Sequence, residues 1–478
     1  RQHTVTSGEP MTSHVFPRPF LFGTATASYQ IEGAVAEDGR GPSIWDVFSH
    51  TPGRTNNGDT GDIACDHYHR YQEDIALMRD LGVDAYRLSI AWPRILPGGT
   101  GAVNPLGVAF YRTLLEGLRA AGIRPVVTLY HWDLPQALQD RGGWAERSTA
   151  EAFAHYAAVM ATELGDLVDT WTTLNEPWCA AYLGHGSGVH APGITDPALS
   201  VKVAHHLNLA HGLAVQAIRQ VLPDARCSVT LNLQVARPED PEDPADRAAA
   251  RTVETIGNDV FLSPMLEGRL PEELVAATAP VTDWSFVAPG DLAEIHQPLD
   301  VLGINYYSTM TVRPRRADDP DSSGGHGQTG HSPWPACDDI AFLDPTGPLT
   351  AMGWNIEPQG LTDLLVATSR RFPDLPLMVT ENGAAFEDRA DQDGHVADPD
   401  RIDYLHDHIA AVGRAREAGA RVEGYFLWSL MDNFEWAYGY SKRFGIVRVD
   451  YRTLARTPKA SFDWYRGLIA TRRLSERP

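Results

Sequence analysis

The feature that most constrains the fold is a short apolar or β-branched segment that returns eight times along the chain. These segments are FLFGTATAS (20–28), VDAYRLSIAW (83–92), RPVVTLYHW (124–132), DTWTTLNEP (169–177), CSVTLNL (227–233), LDVLGINYY (299–307), LPLMVTENG (375–383) and VEGYFLWSL (422–430). Between them, segments such as 105–122 and 401–419 place apolar residues at helical spacing and stop at Gly. Eightfold alternation of strand and helix predicts a closed parallel (β/α)8 TIM barrel rather than an open doubly wound sheet.

The length of 478 residues leaves the number of domains open, because single α/β barrels with insertions reach this length. Two domains would have four strands each and no obvious linker between them. We therefore predict one barrel domain over residues 14–478, after a disordered or tag-like extension over residues 1–13. A low-complexity stretch at 314–339 follows the sixth strand, which predicts a loop inserted at about 312–350.

The carboxyl ends of the predicted strands carry many polar and aromatic side chains. In a barrel these ends converge on one face, where catalytic groups lie. Core packing does not require such residues, because a buried ionisable group is costly unless it is paired. In chain order they are Gln30, Arg87, His131, Trp132, Asn175, Glu176, Asn232, Asn305, Tyr307, Glu381 and Trp428.

Two glutamates end strands on different sides of the predicted barrel mouth. Glu176 lies in TTLNEPW and Glu381 in VTENG. Each has a simple structural explanation: Asn-Glu-Pro is also a way for a strand to leave a sheet, and Asn382-Gly383 is also a turn signal. As a pair, however, they can face each other. Two carboxyl groups flanking a cleft are the minimum set for hydrolysing a glycosidic bond, one as proton donor and one at the anomeric carbon.

Composition and charge argue against several classes of protein. The net charge is −22, with no basic stripe with interleaved aromatic residues, so we expect no nucleic-acid partner. No apolar run is long enough for a membrane span, so we expect no membrane association. The four cysteines are widely spaced without a CxxC pair, which indicates reduced thiols. RQHTVTSGEP lacks an apolar signal-peptide core, and we predict a cytoplasmic protein.

Metal binding is not expected either. His67 with His69, and His205 with His206, share no helix face, and neither pair has a nearby ligand cluster. The segment 389–400 resembles a calcium loop but has an arginine where the first acidic ligand would stand. We predict a solvated loop there and no metal site.

With both glutamates placed, the sequence resembles glycoside hydrolase family 1, the β-glucosidase and β-galactosidase family. Nine matching motifs occur in order along almost the whole chain. They are FLFGTATASYQIEGA, YRLSIAWPRILP, TLYHWDLPQAL, TLNEPW, GINYYS, MGWNI, VTENG, FLWSLMDNFEW and GYSKRFGIVRVD. The resemblance implies a (β/α)8 barrel that hydrolyses small β-glycosides with retention and needs no cofactor. Glucosyl residues are the expected substrates, with galactosyl and fucosyl residues as further options.

The resemblance also implies a role for each matching residue. Glu176 is expected as the acid/base and Glu381 as the nucleophile, with Arg87, Asn305 and Tyr307 around the nucleophile. The residues expected to bind the sugar are Gln30, His131, Trp132, Asn175, Asn305, Tyr307, Trp354, Trp428, Glu435 and Trp436. Among them, Trp428 would lie beneath the ring and Trp354 toward the leaving group.

Electrostatics predicts which of the two glutamates would be protonated and which would be ionised. Retaining enzymes hold their carboxyls roughly 5 Å apart, so the charges repel and one pKa rises. Glu176, beside Pro177 and Trp178, is the better candidate to stay protonated. Arg87, if close to Glu381, would keep the nucleophile ionised. Once Glu381 is esterified its charge is gone, so the pKa of Glu176 should fall and the same group can act as base.

Three alternatives stay open at this point. A silent sugar-binding barrel would have lost a carboxylate, although both glutamates are present. An inverting hydrolase would hold its carboxyls roughly 6.5–9.5 Å apart. A 6-phospho-β-glycosidase of the same family is expected to have Ser in place of Glu435, with Lys and Tyr after it; here Ser441 and Lys442 follow the glutamate. Epimers differ by one hydroxyl, so glucose, galactose and fucose all stay open, as does the oligomeric state.

Overall fold

A computed structural model of the chain describes residues 14–320 and 329–477. Eight parallel strands close into a barrel, each paired with its neighbours in the sequence and the last with the first. The strands are β1 (Leu21–Ala25), β2 (Ala85–Ser89), β3 (Arg124–Tyr130), β4 (Thr170–Asn175), β5 (Cys227–Leu231), β6 (Val301–Asn305), β7 (Leu377–Asn382) and β8 (Val422–Trp428). The predicted barrel is confirmed.

A long helix follows each strand of the barrel. These helices are α1 (His67–Leu81), α2 (Pro105–Ala120), α3 (Arg147–Leu164), α4 (Pro197–Val221), α5 (Pro244–Glu254), α6 (Pro358–Arg371), α7 (Pro399–Glu417) and α8 (Ala460–Thr471). Shorter helical segments lie in the connections: Ser28–Ile31, Ile44–His50, Asn56–Gly58, Trp92–Ile95, Gln136–Gln139, Gly143–Ala145, Cys179–Ser187, Thr255–Asp259, Val260–Leu262, Ser263–Glu267, Glu272–Thr278, Asp291–Ile295 and Trp436–Tyr438.

Helix α2 illustrates why the segments between strands become helical. The side chain of Asn104 accepts a hydrogen bond from the amide of Leu106, and Pro105 occupies the first position, where no amide hydrogen is needed. The buried face repeats at helical spacing through Val108, Tyr111, Leu115 and Leu118. The helix ends before Gly122, which has a φ of 75° that few other residues adopt.

The amino-terminal half of the barrel interior is an apolar layer, formed by Ala85, Val126, Val301, Met378 and Phe426. Gly23 is required beside it, because a Cβ there would lie 2.5 Å from the Phe426 ring. Side chains two positions apart face the same side of a strand, so Arg87 and Trp428 enter the interior above this layer. The barrel is therefore plugged at one end and polar at the other.

The segment predicted as an inserted loop at 312–350 contains strands at both ends. Met310–Pro314 pairs antiparallel with Ile340–Phe342 and parallel with Ala236–Pro238. A small three-stranded sheet thus stands next to the carboxyl end of β6. Residues 321–328, like the predicted extension at 1–13, lie outside the described residues, and the division into extension, barrel and insert stays a prediction.

Cys65, Cys179, Cys227 and Cys337 are buried free thiols. Within the described ranges, no helix combines the length and the apolar character needed to cross a bilayer.

Candidate active site

The carboxyl ends of the strands surround a cavity at the mouth of the barrel, where small-molecule sites of this architecture lie. The predicted residues that line it are Gln30, His131, Trp132, Glu176, Asn232, Tyr307, Trp354, Glu381, Trp428, Glu435 and Trp436. Three further predicted residues, Arg87, Asn175 and Asn305, lie behind this surface and bond to its carboxyl groups or to His131. The structure therefore brings together residues that are up to 406 positions apart in the sequence.

Irregular strand register turns the key side chains into the cavity. The pairing of β4 with β5 shifts between Thr172 and Asn175, and that of β7 with β6 shifts between Val379 and Glu381. A shift by one residue changes the face toward which the following side chains point. Asn175 and Glu381 thereby point into the barrel at the very ends of their strands.

The carboxylate of Glu381 is held by a cation and a phenol. Its Oε2 accepts from the Arg87 guanidinium at 2.8 Å, and its Oε1 accepts from the Tyr307 hydroxyl at 2.5 Å. The other arm of Arg87 donates to Asn175 Oδ1 at 2.5 Å. Charge-assisted hydrogen bonds of this kind stabilise the ionised carboxylate.

Glu176 is held by neutral groups instead. Its Oε2 accepts from the Asn305 amide at 2.7 Å, and its Oε1 accepts from the Cys179 thiol at 3.2 Å. Burial, followed by the nearby charge of Glu381, raises the pKa of Glu176 to about 7. This carboxyl can therefore carry a proton near neutral pH and also release it.

Two buried polar atoms on the cavity wall have no hydrogen-bond partner within the described part of the chain. Gln30 donates through Nε2 to Asn433 Oδ1 and to the carbonyl of Phe434, which leaves its Oε1 unpaired. The Nδ1 atom of His131 is likewise unpaired. Buried polar atoms normally have partners, so an acceptor and a nitrogen on this wall are suited to ligand hydroxyls.

The hydrogen bonds around Asn175 determine which nitrogen of His131 carries the proton. Asn175 Oδ1 accepts from both Arg87 and Asn305, so its Nδ2 donates to His131 Nε2 at 3.1 Å. Burial, together with the Arg87 charge, lowers the pKa of His131 well below its usual value. The neutral ring therefore carries its hydrogen on Nδ1, which is a donor toward the cavity.

Aromatic rings form the rest of the inner wall. Trp428 is buried, and the Trp436 ring lies 4.6 Å from Trp132 and 5.9 Å from His131, nearly parallel to the latter. Trp132, Glu176 and Trp436 have φ angles of 82°, 47° and 49°, in the region that favours glycine. Such backbone strain concentrates at functional sites, because surrounding contacts hold it there.

Glu435 faces the cavity without a bonded donor. Its side chain is partly exposed, and no hydrogen bond between described residues ends on its carboxylate. Burial raises the pKa of Glu435 to about 8, with contributions from the charges of Glu381 and Glu176. Three carboxyl groups thus share one small space, where a ligand rich in hydroxyl groups could bridge them.

A larger chamber adjoins the inner cavity. The two share Asn232, Tyr307, Met352 and Trp354, so Trp354 lies between them. Trp178, Trp334 and Phe342 add apolar surface to the chamber, with polar side chains between them. The inner cavity can therefore hold one ring while a second group occupies the chamber.

Sequence reasoning missed several lining residues: Cys179, His190, Met352, Tyr438 and Phe444. Cys179 had a usable signal, because it follows Glu176 by three residues in the turn after β4 and so lies on the same side. The others come from long loops, and only the folded chain brings them to the site.

Comparison with known proteins agrees with this geometry. The family model described as glycosyl hydrolase family 1 matches residues 12–474. A bifunctional β-D-glucosidase/β-D-fucosidase from Bifidobacterium breve is 53% identical over 466 residues, covering 95% of this chain and 98% of the relative. β-Glucosidase A from Acetivibrio thermocellus is 45% identical, with coverage of 96% and 99%.

Solved structures give the same result. A psychrophilic β-glucosidase from Micrococcus antarcticus superimposes with a TM-score of 0.92 at 44% identity, covering 96% of this chain and 98% of that one. A family 1 β-glucosidase from Thermotoga maritima in complex with isofagomine lactam gives a TM-score of 0.89 at 44% identity, with coverage of 97% and 100%. The chain belongs to glycosyl hydrolase family 1 and is a retaining glycoside hydrolase.

Proposed function

We propose that this enzyme removes terminal β-D-glucosyl residues from small glycosides and oligosaccharides, with Glu381 as nucleophile and Glu176 as acid/base. The observation that carries the assignment is the contrast between their partners. Glu381 accepts a hydrogen bond from the Arg87 guanidinium, a partner suited to a carboxylate, whereas Glu176 has neutral donors and a pKa raised to about 7 by burial and by Glu381. A nucleophile must be ionised and a general acid must be protonated.

The first step forms a glycosyl ester. A carboxylate oxygen of Glu381 attacks the anomeric carbon while the bond to the leaving oxygen breaks, and the proton of Glu176 passes to that oxygen. The second step reverses these roles: Glu176 takes a proton from water, the water oxygen bonds to the anomeric carbon, and Glu381 leaves as a carboxylate. Two inversions at one carbon retain the β configuration.

The remaining lining residues would hold the sugar in register with this pair. Gln30 Oε1 offers an acceptor and His131 Nδ1 a donor for hydroxyl groups. Trp428 would cover the apolar face of the ring, as indole rings do with sugars. Trp354, between the two cavities, would separate the bound sugar from the leaving group.

The charge of the cavity favours neutral sugars over 6-phosphates. Three carboxyl groups line it, and its nearest guanidinium, Arg87, is already bonded to Glu381. Ser441 and Lys442 do not supply a phosphate site among the described residues that line the cavity, because Lys442 Nζ donates to the carbonyl of Ala351 at 2.8 Å. A phosphate of roughly −1.5 to −2 charge would be repelled there.

A panel of nitrophenyl β-glycosides tests this assignment. We expect kcat/KM for the β-glucoside to exceed that for its 6-phosphate by roughly a hundredfold or more. Each ~1.4 kcal/mol of repulsion lowers kcat/KM tenfold, so a hundredfold corresponds to about twice that energy. Glu435→Ser should narrow the gap mainly by losing activity on the glucoside. Comparable kcat/KM values for the two substrates in the parent enzyme would contradict a preference for neutral sugars. The β-fucoside and β-galactoside in the same panel then rank the sugars.

We further propose cellobiose as a substrate and the cytoplasm as the place of action. The outer chamber, with its mixed polar and aromatic lining, has room for a second sugar ring. Four buried free thiols suit a reducing compartment. Glucose release from cellobiose tests the first point. Activity that leaves the source cells on osmotic shock, rather than on lysis, would contradict the second.

A further inference from the structure

The thiol of Cys179 lies directly against the carboxyl of Glu176. Its Sγ donates to Glu176 Oε1 at 3.2 Å, and its side chain is 2% exposed. Asn232 Nδ2 approaches the same sulfur at 3.7 Å. The backbone fixes the arrangement, because the amide of Cys179 donates to the carbonyl of Glu176 at 2.9 Å in the turn after β4. The contact is therefore built into the local fold rather than made by a free side chain.

The thiol completes the hydrogen bonding of this carboxyl without adding a charge. Asn305 bonds to Oε2 and Cys179 to Oε1, so each oxygen has one fixed donor and a lone pair left for a proton. Burial, and then the charge of Glu176, raises the pKa of the Cys179 thiol well above its usual value. The sulfur thus keeps its hydrogen and remains a donor.

We propose that Cys179 is a positioning residue for hydrolysis, whose thiol holds the carboxyl of Glu176 in the orientation that reaches the leaving oxygen. This inference rests on the proposed function of Glu176 as the acid/base. A thiol is a weak donor, so it orients the carboxyl while stabilising the anion only modestly. A cation in the same place would stabilise the anion so strongly that the group would lose its acid role near neutral pH.

The surroundings of Glu176 allow the effect of the thiol to be isolated. The titratable and charged groups that face it are Glu381, Arg87, Tyr307, Glu435, His131 and Cys179. Within the described chain, Cys179 is the one member of this group bonded to the Glu176 side chain. Removing its S–H therefore removes one donor from the ionised form and should raise the pKa of Glu176, while the charges around it stay the same.

The test is the pH dependence of kcat/KM for cellobiose, whose poor leaving group needs a proton. Cys179→Val replaces the donor by an apolar group of similar bulk, and we expect the basic limb to move upward by about half a pH unit or more. Cys179→Ser restores a hydroxyl donor and should return the limb to the parent position or below it. Cys227→Val, at the opposite end of β5, removes a buried thiol remote from the site and should leave the limb in place.

The outcomes separate positioning from packing. A basic limb that does not move in Cys179→Val, or a loss of kcat/KM that is uniform over pH, would overturn the inference. If Cys179→Val does not fold, Cys179→Ala provides the same comparison with a smaller side chain. Failure of the proposed function has a different signature: Glu176→Ala would then lose activity equally on good and poor leaving groups, whatever the Cys179 variants do.

Discussion

The two carboxyl groups of the active site are chemically identical, yet the protein surrounds them differently. Both are buried at the ends of barrel strands and line the same cavity. Glu381 accepts hydrogen bonds from a guanidinium and a phenol, whereas Glu176 accepts them from an amide and a thiol. Both carboxyls are largely removed from water, but the guanidinium of Arg87 is bonded to Glu381 and not to Glu176. The position of one arginine therefore distinguishes the surroundings of the two carboxyl groups.

The contrast also explains how the pair is held together. Arg87 reaches Glu381 with one arm and Asn175 with the other, and Asn305 connects Asn175 to Glu176. The two carboxyls are thus connected by a continuous chain of hydrogen bonds between residues of four different strands. A change at one end is expected to reach the other through charge, because the connecting residues hold both groups in fixed positions.

The largest expected effect comes from replacing Glu381, the carboxyl group bonded to Arg87. Glu381→Gly deletes the proposed nucleophile, so we expect kcat on nitrophenyl β-glucoside to fall by about 10⁴-fold or more. Azide can occupy the vacated space and attack the anomeric carbon directly. The rescued product should be the α-glycosyl azide, which NMR identifies.

Two results bear on this assignment. A rescued product with β configuration would mean that Glu381 is not the nucleophile. Glu423→Gln, at the opposite end of β8 and paired with Arg226 on the outside, should keep its activity and needs no azide.

The next largest effect comes from replacing Glu176, the carboxyl group whose bonded partners are neutral. Glu176→Ala removes the proposed proton donor, and such a donor contributes roughly 10²- to 10⁴-fold where the leaving group is poor. We expect a loss of that size on cellobiose and a much smaller loss in the first step with dinitrophenyl β-glucoside, whose leaving group needs no proton. Pre-steady-state release of dinitrophenol measures that step.

With Glu176→Ala, azide should accept the sugar from the covalent intermediate and give the β-glycosyl azide. The opposite product configurations of the two variants would confirm the division of roles. Equal losses on both substrates would argue that Glu176 is not the acid.

The fold was predictable because its signals are local. Each strand and helix carries its own periodicity, and the segment 105–122, for example, became the helix Pro105–Ala120. The pairing of strands that are far apart in the sequence was harder to predict. The small sheet of Met310–Pro314 with Ala236–Pro238 joins segments more than seventy residues apart, and neither has a pattern that names its partner.

For the proposed site, the sequence could predict only in part which residues lie together around the cavity. Glu176 and Glu381 could be found because each ends a strand-like run, and Arg87 because it interrupts an apolar one. Asn175 uses its amide on three protein groups, a role that spacing cannot reveal, since it depends on the register shift in β4. The spacing places Cys179 on the same side as Glu176, but only the folded chain shows that its sulfur lies against the carboxyl.

The smallest expected effect is the most direct measure of how the charge of Glu381 acts on Glu176. Glu381→Gln keeps the shape of the nucleophile but removes its charge, as the glycosyl ester does. Burial is the larger cause of the raised pKa of Glu176 and remains, while the repulsion from Glu381 disappears. The pKa should therefore fall from about 7 by roughly one pH unit, but not to the ordinary value of a glutamate. Carboxyl ¹³C NMR of glutamate-labelled protein can follow this, with Glu176→Gln to assign the signal.

The sign of that pKa shift shows whether the charge of Glu381 contributes to the raised pKa of Glu176. Loss of a neighbouring negative charge favours the ionised form, so a lower pKa means that the two carboxyls sense each other across the cavity. Glu423→Gln removes an equal charge at the far end of the barrel and should leave the titration of Glu176 unchanged. If Glu381→Gln also leaves it unchanged, burial alone holds the proton on Glu176. Esterification of Glu381 could then not turn the acid into a base, and the second step of hydrolysis would need a different proton acceptor.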